Sequence, residues 1–144
     1  MRFTHESSEN FACDPFDWHR QAVNALLVSS ALVALADGWV DRIERDVAID
    51  YIDQHQLAAT MSRRYIAVKF EQSVRCIEGR DFVDLVIDAF RPVPALSLAP
   101  DVLRIAELVA AADGQVLPIE RGAIALIRLI TTNLPAPKAV SATR

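Results

Sequence analysis

The chain has 144 residues, 52% of them hydrophobic and 24% charged, which is the size and composition of one compact domain with a real core. A net charge of -4 argues against general nucleic-acid binding. The two cysteines, Cys13 and Cys76, are unclustered and suggest neither a disulfide framework nor a thiolate zinc site.

Helical punctuation begins at Asp14-Pro15-Phe16-Asp17, where Asp14 can cap, Pro15 suits the first helical position and Asp17 adds first-turn charge. The first helix is expected to run to about Ala36. Leu26, Leu27, Val28, Leu32, Val33 and Leu35 occupy nearly every side of it, as in a helix surrounded by others. Its apolar stretch, Ala22 to Ala36, is interrupted by Asn24, Ser29 and Ser30 and is too short to span a membrane. The opening MRFTHESSEN has no apolar core of a secretory signal, so a cytoplasmic location is expected. Gly38 supplies a helix stop, and Asp41 with Glu44 forms a capping pair for a second helix, from about Arg42 to His55. Its expected inward stripe is Ile43, Val47, Tyr51 and Ile52.

Thr60 is the expected cap of a third helix carrying Ile66, Phe70, Val74 and Ile77, ended by Gly79. A fourth carries Phe82, Leu85, Val86, Ala89 and Phe90, and Arg91-Pro92-Val93-Pro94 stops it. Pro100 opens the next, Val102 to Ala112, and Pro118 the last, with a stripe of Ile119, Ala123, Leu126, Ile127 and Ile130. The tail from residue 135 to 144 is expected to be disordered. No segment offers a period-two run. The chain therefore reads as a single all-α domain over residues 1–144, a helical bundle of six or seven helices.

The bundle is built on a duplication. Ala31 to Arg45, ALVALADGWVDRIER, returns 76 residues later as Glu107 to Arg121, ELVAAADGQVLPIER, with ten of fifteen positions identical. Two helix-turn-helix units, about residues 22–55 and 98–134, are expected to share a core. The shared residues include Asp37-Gly38 and Asp113-Gly114, then Glu44-Arg45 and Glu120-Arg121.

Asp37 and Asp113 each sit where a helix is ending, a location the macrodipole makes unfavourable for negative charge by roughly 0.3–1 kcal/mol. Backbone amides of the turn, the arginine after each glutamate, or a bound cation could offset this. Asp-Gly followed by five residues and Glu is also the second half of an EF-hand loop. The first half is missing, because its carboxylate positions are Val33 and Leu35, then Val109 and Ala111. An EF-hand is excluded. If a pseudo-twofold axis joins the turns, Asp37, Glu44, Asp113 and Glu120 could instead share a divalent cation such as calcium, magnesium or manganese. The alternative is a pair of ordinary turns, with Glu44 explained by capping and Arg45 and Arg121 pairing locally.

At these residues the chain resembles the TerB family, associated with bacterial tellurite resistance, whose members carry an Ala-Ala-Asp-Gly turn followed by a glutamate, generally twice. ALADGWVDRIER and AAADGQVLPIER are similar to those motifs, and the resemblance extends in outline from about Ala22 to Leu134, including RRYIAVKFEQSV between them. It implies a helical, non-enzymatic cytoplasmic domain in tellurite and other stress responses, with an acidic metal site at the duplicated turns. A related domain stands at the N-terminus of the membrane-anchored co-chaperone DjlA, which implies, as the alternative, a protein-interaction module without metal. Either way the expected partners are proteins of a stress-response or envelope-associated complex. This chain differs from the family pattern in Leu117-Pro118, where a small polar or acidic residue is usual, and in the large Trp39.

Other chemistry is sparse. His5, His19 and His55 have no metal-ligand spacing, and no nucleophile motif, P-loop or dinucleotide fingerprint is present. Ser29 and Ser30 fit back-bonding or close helix packing. Ala58 to Arg80 carries Arg63, Arg64, Lys69, Arg75 and Arg80 against Glu71 and Glu78, a net of +3, while Asp37 to Asp53 carries six acids against Arg42 and Arg45, a net of -4. This polarity is a solvated face or a means of orienting a partner.

Overall fold

A computed structural model describes residues 15–79 and 82–134. The expected Asp14 cap, Cys13, His5 and the 135–144 tail lie outside these residues. Within them the fold is all-helical, with α1 Pro15–Ala34, α2 Arg42–Asp53, a 3-10 turn Gln56–Ala58, α3 Arg63–Ile77, α4 Phe82–Phe90, the single-turn α5 Val93–Leu96, α6 Ala99–Ala110 and α7 Pro118–Asn133. None of these helices is long and apolar enough to cross a membrane.

Helix α1 is the axis of the bundle and touches every other helix. From Ala22 to Ala34 only Asn24 is exposed, in keeping with a helix that is apolar on nearly all sides. Its serines show how close packing is reconciled with polarity. The Ser30 hydroxyl donates to the Leu27 carbonyl at 2.9 Å, within α1, and the Ser29 hydroxyl donates to the Val102 carbonyl of α6 at 2.8 Å. The second bond ties α1 directly to the first helix of the second repeat.

Several boundaries and faces differ from expectation. Ser62, not Thr60, caps α3, its hydroxyl accepting the Tyr65 amide at 3.0 Å, because the 3-10 turn takes up the preceding chain. Helices α1 and α2 end two residues early, where Gly38 and the Gln54 cap terminate them. The proline-containing segment after α4 does not stay irregular: Val93–Leu96 forms one helical turn with Pro94 in it, tolerated because the first-turn amides need no intrahelical partner. Helix α6 begins at Ala99, three residues before Val102, and ends at Ala110.

The inward stripes of α2 and α7 are rotated from those read off the apolar residues. Ile43, Ile119 and Leu126 are exposed, and the inward position in the first turn of each helix is taken by a glutamate, Glu44 or Glu120. A stripe drawn through apolar residues alone misses a buried carboxyl.

The acidic and basic segments neutralise each other. Arg63 Nη2 of α3 lies 2.7 Å from Asp50 of α2 and its Nη1 3.6 Å from Asp53, while Arg45 Nε of α2 donates to Glu71 of α3 at 2.9 Å. Arg63 and Arg45 are thus engaged between helices.

The α1 axis leads to a graded expectation for chemical denaturation. Leu26→Ala, in a fully buried position, should cost about 2–5 kcal/mol. Ser29→Ala should cost only about 1 kcal/mol, since it removes one hydrogen bond and little volume. Equal losses for the two variants would contradict this account of α1.

Candidate functional site

The two Asp-Gly turns close with the same bonds, 76 residues apart. Gly38 N donates to Leu35 O and Gly114 N to Ala111 O, each at 2.9 Å, and Ala36 N to Val33 O and Ala112 N to Val109 O, each at 3.1 Å. Gly38 has φ 108° and Gly114 φ 91°, conformations in which a side chain is strained. Each turn then delivers the chain into a helix whose third residue is the glutamate.

Both glutamates reach back to the amide before their helix. Glu44 Oε1 accepts from Asp41 N at 3.3 Å and Glu120 Oε1 from Leu117 N at 2.8 Å. In the first repeat Asp41 completes the reciprocal cap by accepting from Ile43 N at 2.9 Å. In the second, Leu117 has no acceptor to offer, and Pro118 removes one amide that would have needed one. The capping explanation of Glu44 is therefore correct as far as it goes.

It does not explain burial. Glu44 is 2% exposed and Glu120 1%, whereas a cap at a free helix end can remain solvated. The Glu44 carboxyl comes within hydrogen-bonding reach of Glu120 across the repeats. Ionised carboxylates only accept, so this contact needs a proton or a cation between them. Burial pushes the Glu44 carboxyl up to about 8; the Glu120 hydrogen bond and charge and the more distant Asp37 charge add to the rise, against the Asp41 amide, which lowers it.

The four candidate residues thus occupy different environments. Glu44 and Glu120 meet in the interior, and Asp37 is exposed but acts on Glu44 through its charge. Its carboxylate accepts no hydrogen bond from a described residue, while Asp113, also exposed, accepts from Gln115 N at 3.2 Å within its own turn. The backbone amide offered as a partner for these aspartates therefore serves Asp113. Arg45 pairs with Glu71 and Asp46 rather than with Asp37. Among the described residues no three His, Cys, Asp or Glu side chains are grouped so as to hold a metal ion. Trp39, beside the first turn, is 73% exposed.

A second polar cluster escaped sequence reasoning. Tyr51 Oη donates to Asp101 Oδ1 at 3.1 Å, His55 Nε2 lies 3.6 Å from the same oxygen, and His55 Nδ1 accepts from Leu57 N at 3.2 Å. Burial first, then the Asp101 charge, pushes the Tyr51 phenol up to about 12. These residues come from α2, the chain after it and α6, and no spacing in the sequence announces their meeting. The bonds pin α2 to the start of α6.

The chain matches no protein-family model, no curated protein and no solved structure.

The raised Glu44 pKa has a consequence for stability. Its folded value of about 8 lies above the ordinary 4.5, so the native state holds this proton more tightly than the unfolded chain does. The resulting stabilisation is fully present below about pH 4.5 and is lost as pH rises through about 8. In metal-free buffer, urea denaturation should show wild-type stability falling across that window. Glu44→Gln, which is neutral throughout and can still donate to Glu120, should flatten the profile and be the more stable form at pH 8. A wild-type profile as flat as the variant's would remove the buried proton from the account.

Proposed function

We propose that the chain is a TerB-like, non-enzymatic helical domain of a stress response, such as tellurite resistance, and that its duplicated turns bind a divalent cation. One observation carries the reading: two buried glutamates, one from each repeat, meet where only a proton or a cation can reconcile them. Hard oxygen donors suit magnesium, calcium or manganese. Glu44 and Glu120 would hold the ion, and the exposed Asp37, whose charge already acts on Glu44, would have to move toward them to add an oxygen. Asp113 could add an oxygen only by releasing the Gln115 amide. A set of two or three carboxylates completed by water favours magnesium or manganese, since calcium takes roughly six to eight oxygens. The ion would replace the shared proton and leave both glutamates ionised. Protein partners, in a stress-response or envelope-associated complex, belong to the same proposal.

Melting of chelator-treated protein at pH 7.5, with and without magnesium, manganese or calcium, tests the cation. An ion at a hundredfold excess over its Kd stabilises the native state by about 2.7 kcal/mol, so the wild type should melt higher with metal. Glu44→Gln and Glu120→Gln should lose the shift, and Asp37→Asn should reduce it. If no cation moves the wild-type melting curve, the pair is a proton-sharing structural contact and the domain is a protein-interaction module of the co-chaperone kind.

A further inference from the structure

We propose that residues 1–14 of the chain dock into the groove between α1, α3 and α4. The groove has a volume of about 360 Å³, within the roughly 300–1,000 Å³ of clefts that enclose a ligand. Its floor is apolar, formed by the buried Val23, Leu27 and Val28 of α1 with Met61 and with Leu85 of α4, and Tyr65, Lys69, Gln72 and Cys76 of α3 stand along one wall. A second depression shares Arg20, Met61 and Tyr65 with it and lengthens it toward Ser62.

Attachment selects the occupant first. Pro15 stands five residues before Arg20, a rise of about 8 Å along the helix. An extended chain covers roughly 3.3–3.6 Å per residue, so Phe11, four residues from Pro15, reaches the Arg20 end of the groove, and Phe3, twelve residues from it, reaches any part. A tether this short gives the segment an effective concentration on the order of millimolar. A free peptide of equal affinity at micromolar concentration does not compete with it.

Composition and charge agree with the attachment. The segment MRFTHESSENFACD carries two phenylalanines, and Glu6, Glu9 and Asp14 against Arg2. The groove is complementary: Arg20 and Lys69 stand on it, and no Asp or Glu is among the described residues that line it. Arg20 already has a partner, so the charge argument rests on Lys69. That lysine forms no ion pair with a described residue; its Nζ lies 3.4 Å from Gln72 Oε1 and 5.6 Å from the Tyr65 ring centre. Opposite charges orient such a contact, and the phenylalanines supply its apolar area.

Other occupants fit less well. Residues 135–144 contain no aromatic side chain and carry Lys138 and Arg144 without an acid, so like charge opposes them at Lys69. The same segment of a second copy has the right chemistry and lacks the tether, so it would fill the groove only as concentration rises. An acidic, aromatic segment of another protein must displace the one already attached.

Cys76 reports occupancy, because this exposed residue lines the groove. In the full chain carrying Cys13→Ser it is the one thiol left, and its alkylation by N-ethylmaleimide, a neutral reagent, is followed under native conditions. A segment affinity of about 0.1 mM against an effective concentration of about 1 mM gives roughly tenfold protection. Phe3→Ser with Phe11→Ser should therefore raise the rate by on the order of tenfold with helicity retained. A synthetic peptide of residues 1–14 bearing the same Cys13→Ser change, at about 1 mM, should slow that variant again. Glu6→Lys with Glu9→Lys, which leaves both rings in place, should also raise the rate, and Lys69→Glu should do so in the parent and not in the phenylalanine variant. Glu44→Gln should change none of these rates, which separates the groove from the cation site. The proposal is overturned if parent and phenylalanine variant react at one rate, if the peptide leaves the variant's rate unchanged, or if protection is lost on dilution and sedimentation shows a dimer, which assigns the groove to a second copy.

Discussion

Two carboxyl groups that meet away from water are the constraint around which the rest of this domain is arranged. An isolated buried carboxylate is costly, and two in contact are costlier, unless a proton or a cation lies between them. The surroundings reduce that cost without removing it. Each glutamate stands in the first turn of a helix, where the positive end of the macrodipole favours negative charge, and each accepts a backbone amide. What remains is the charge repulsion between the pair, which a shared proton relieves.

The pair can meet only because the turns are rigid and the helices before them are held together. Each turn is fixed by a positive-φ glycine and a matched set of backbone bonds. Helices α1 and α6 form the most extensive helix–helix contact among the described residues and share the Ser29–Val102 bond. Their C-termini therefore present the two turns in a fixed relation. On the outside, Arg63 and Arg45 join α2 to α3, and Tyr51 with His55 join the α2 region to Asp101. Within the second repeat, the ion pair formed among the described residues is the longer Arg128–Glu107 contact at 3.7 Å.

This asymmetry separates what both copies keep from what each has made its own. Both keep the glycine conformation, the turn bonds and the buried glutamate. They differ in the cap, where Asp41 is answered by Leu117, and in the aspartate, where Asp113 is engaged by its own turn while Asp37 faces Glu44 electrostatically. They differ most on the outer face of the second helix, acidic in one copy and apolar in the other. The buried glutamate contact is thus what the copies hold in common, while their outer faces differ in polarity.

Much of the fold was legible in the residues. Apolar periodicity, Gly38, Gly79, Pro100 and Pro118 mark helices by local rules that tertiary packing seldom overturns, and an α1 apolar on all sides had to be central. The duplication itself is visible in the sequence, and its repeated Asp and Glu identify the residues of interest. Their environments were not legible. Glu44 was correctly explained as a cap, yet a cap is silent about whether its second oxygen meets water or another carboxyl. The stripes through Ile43 and through Ile119 and Leu126 were misread for the same reason, since hydrophobicity does not mark a glutamate as inward-facing. Sequence alone determined the helices, the turns and the repeat, because these depend on residues near one another in the chain. Only the tertiary structure decided that Glu44 and Glu120 share one buried place and that Arg63 is engaged by Asp50, because those contacts depend on how distant helices pack.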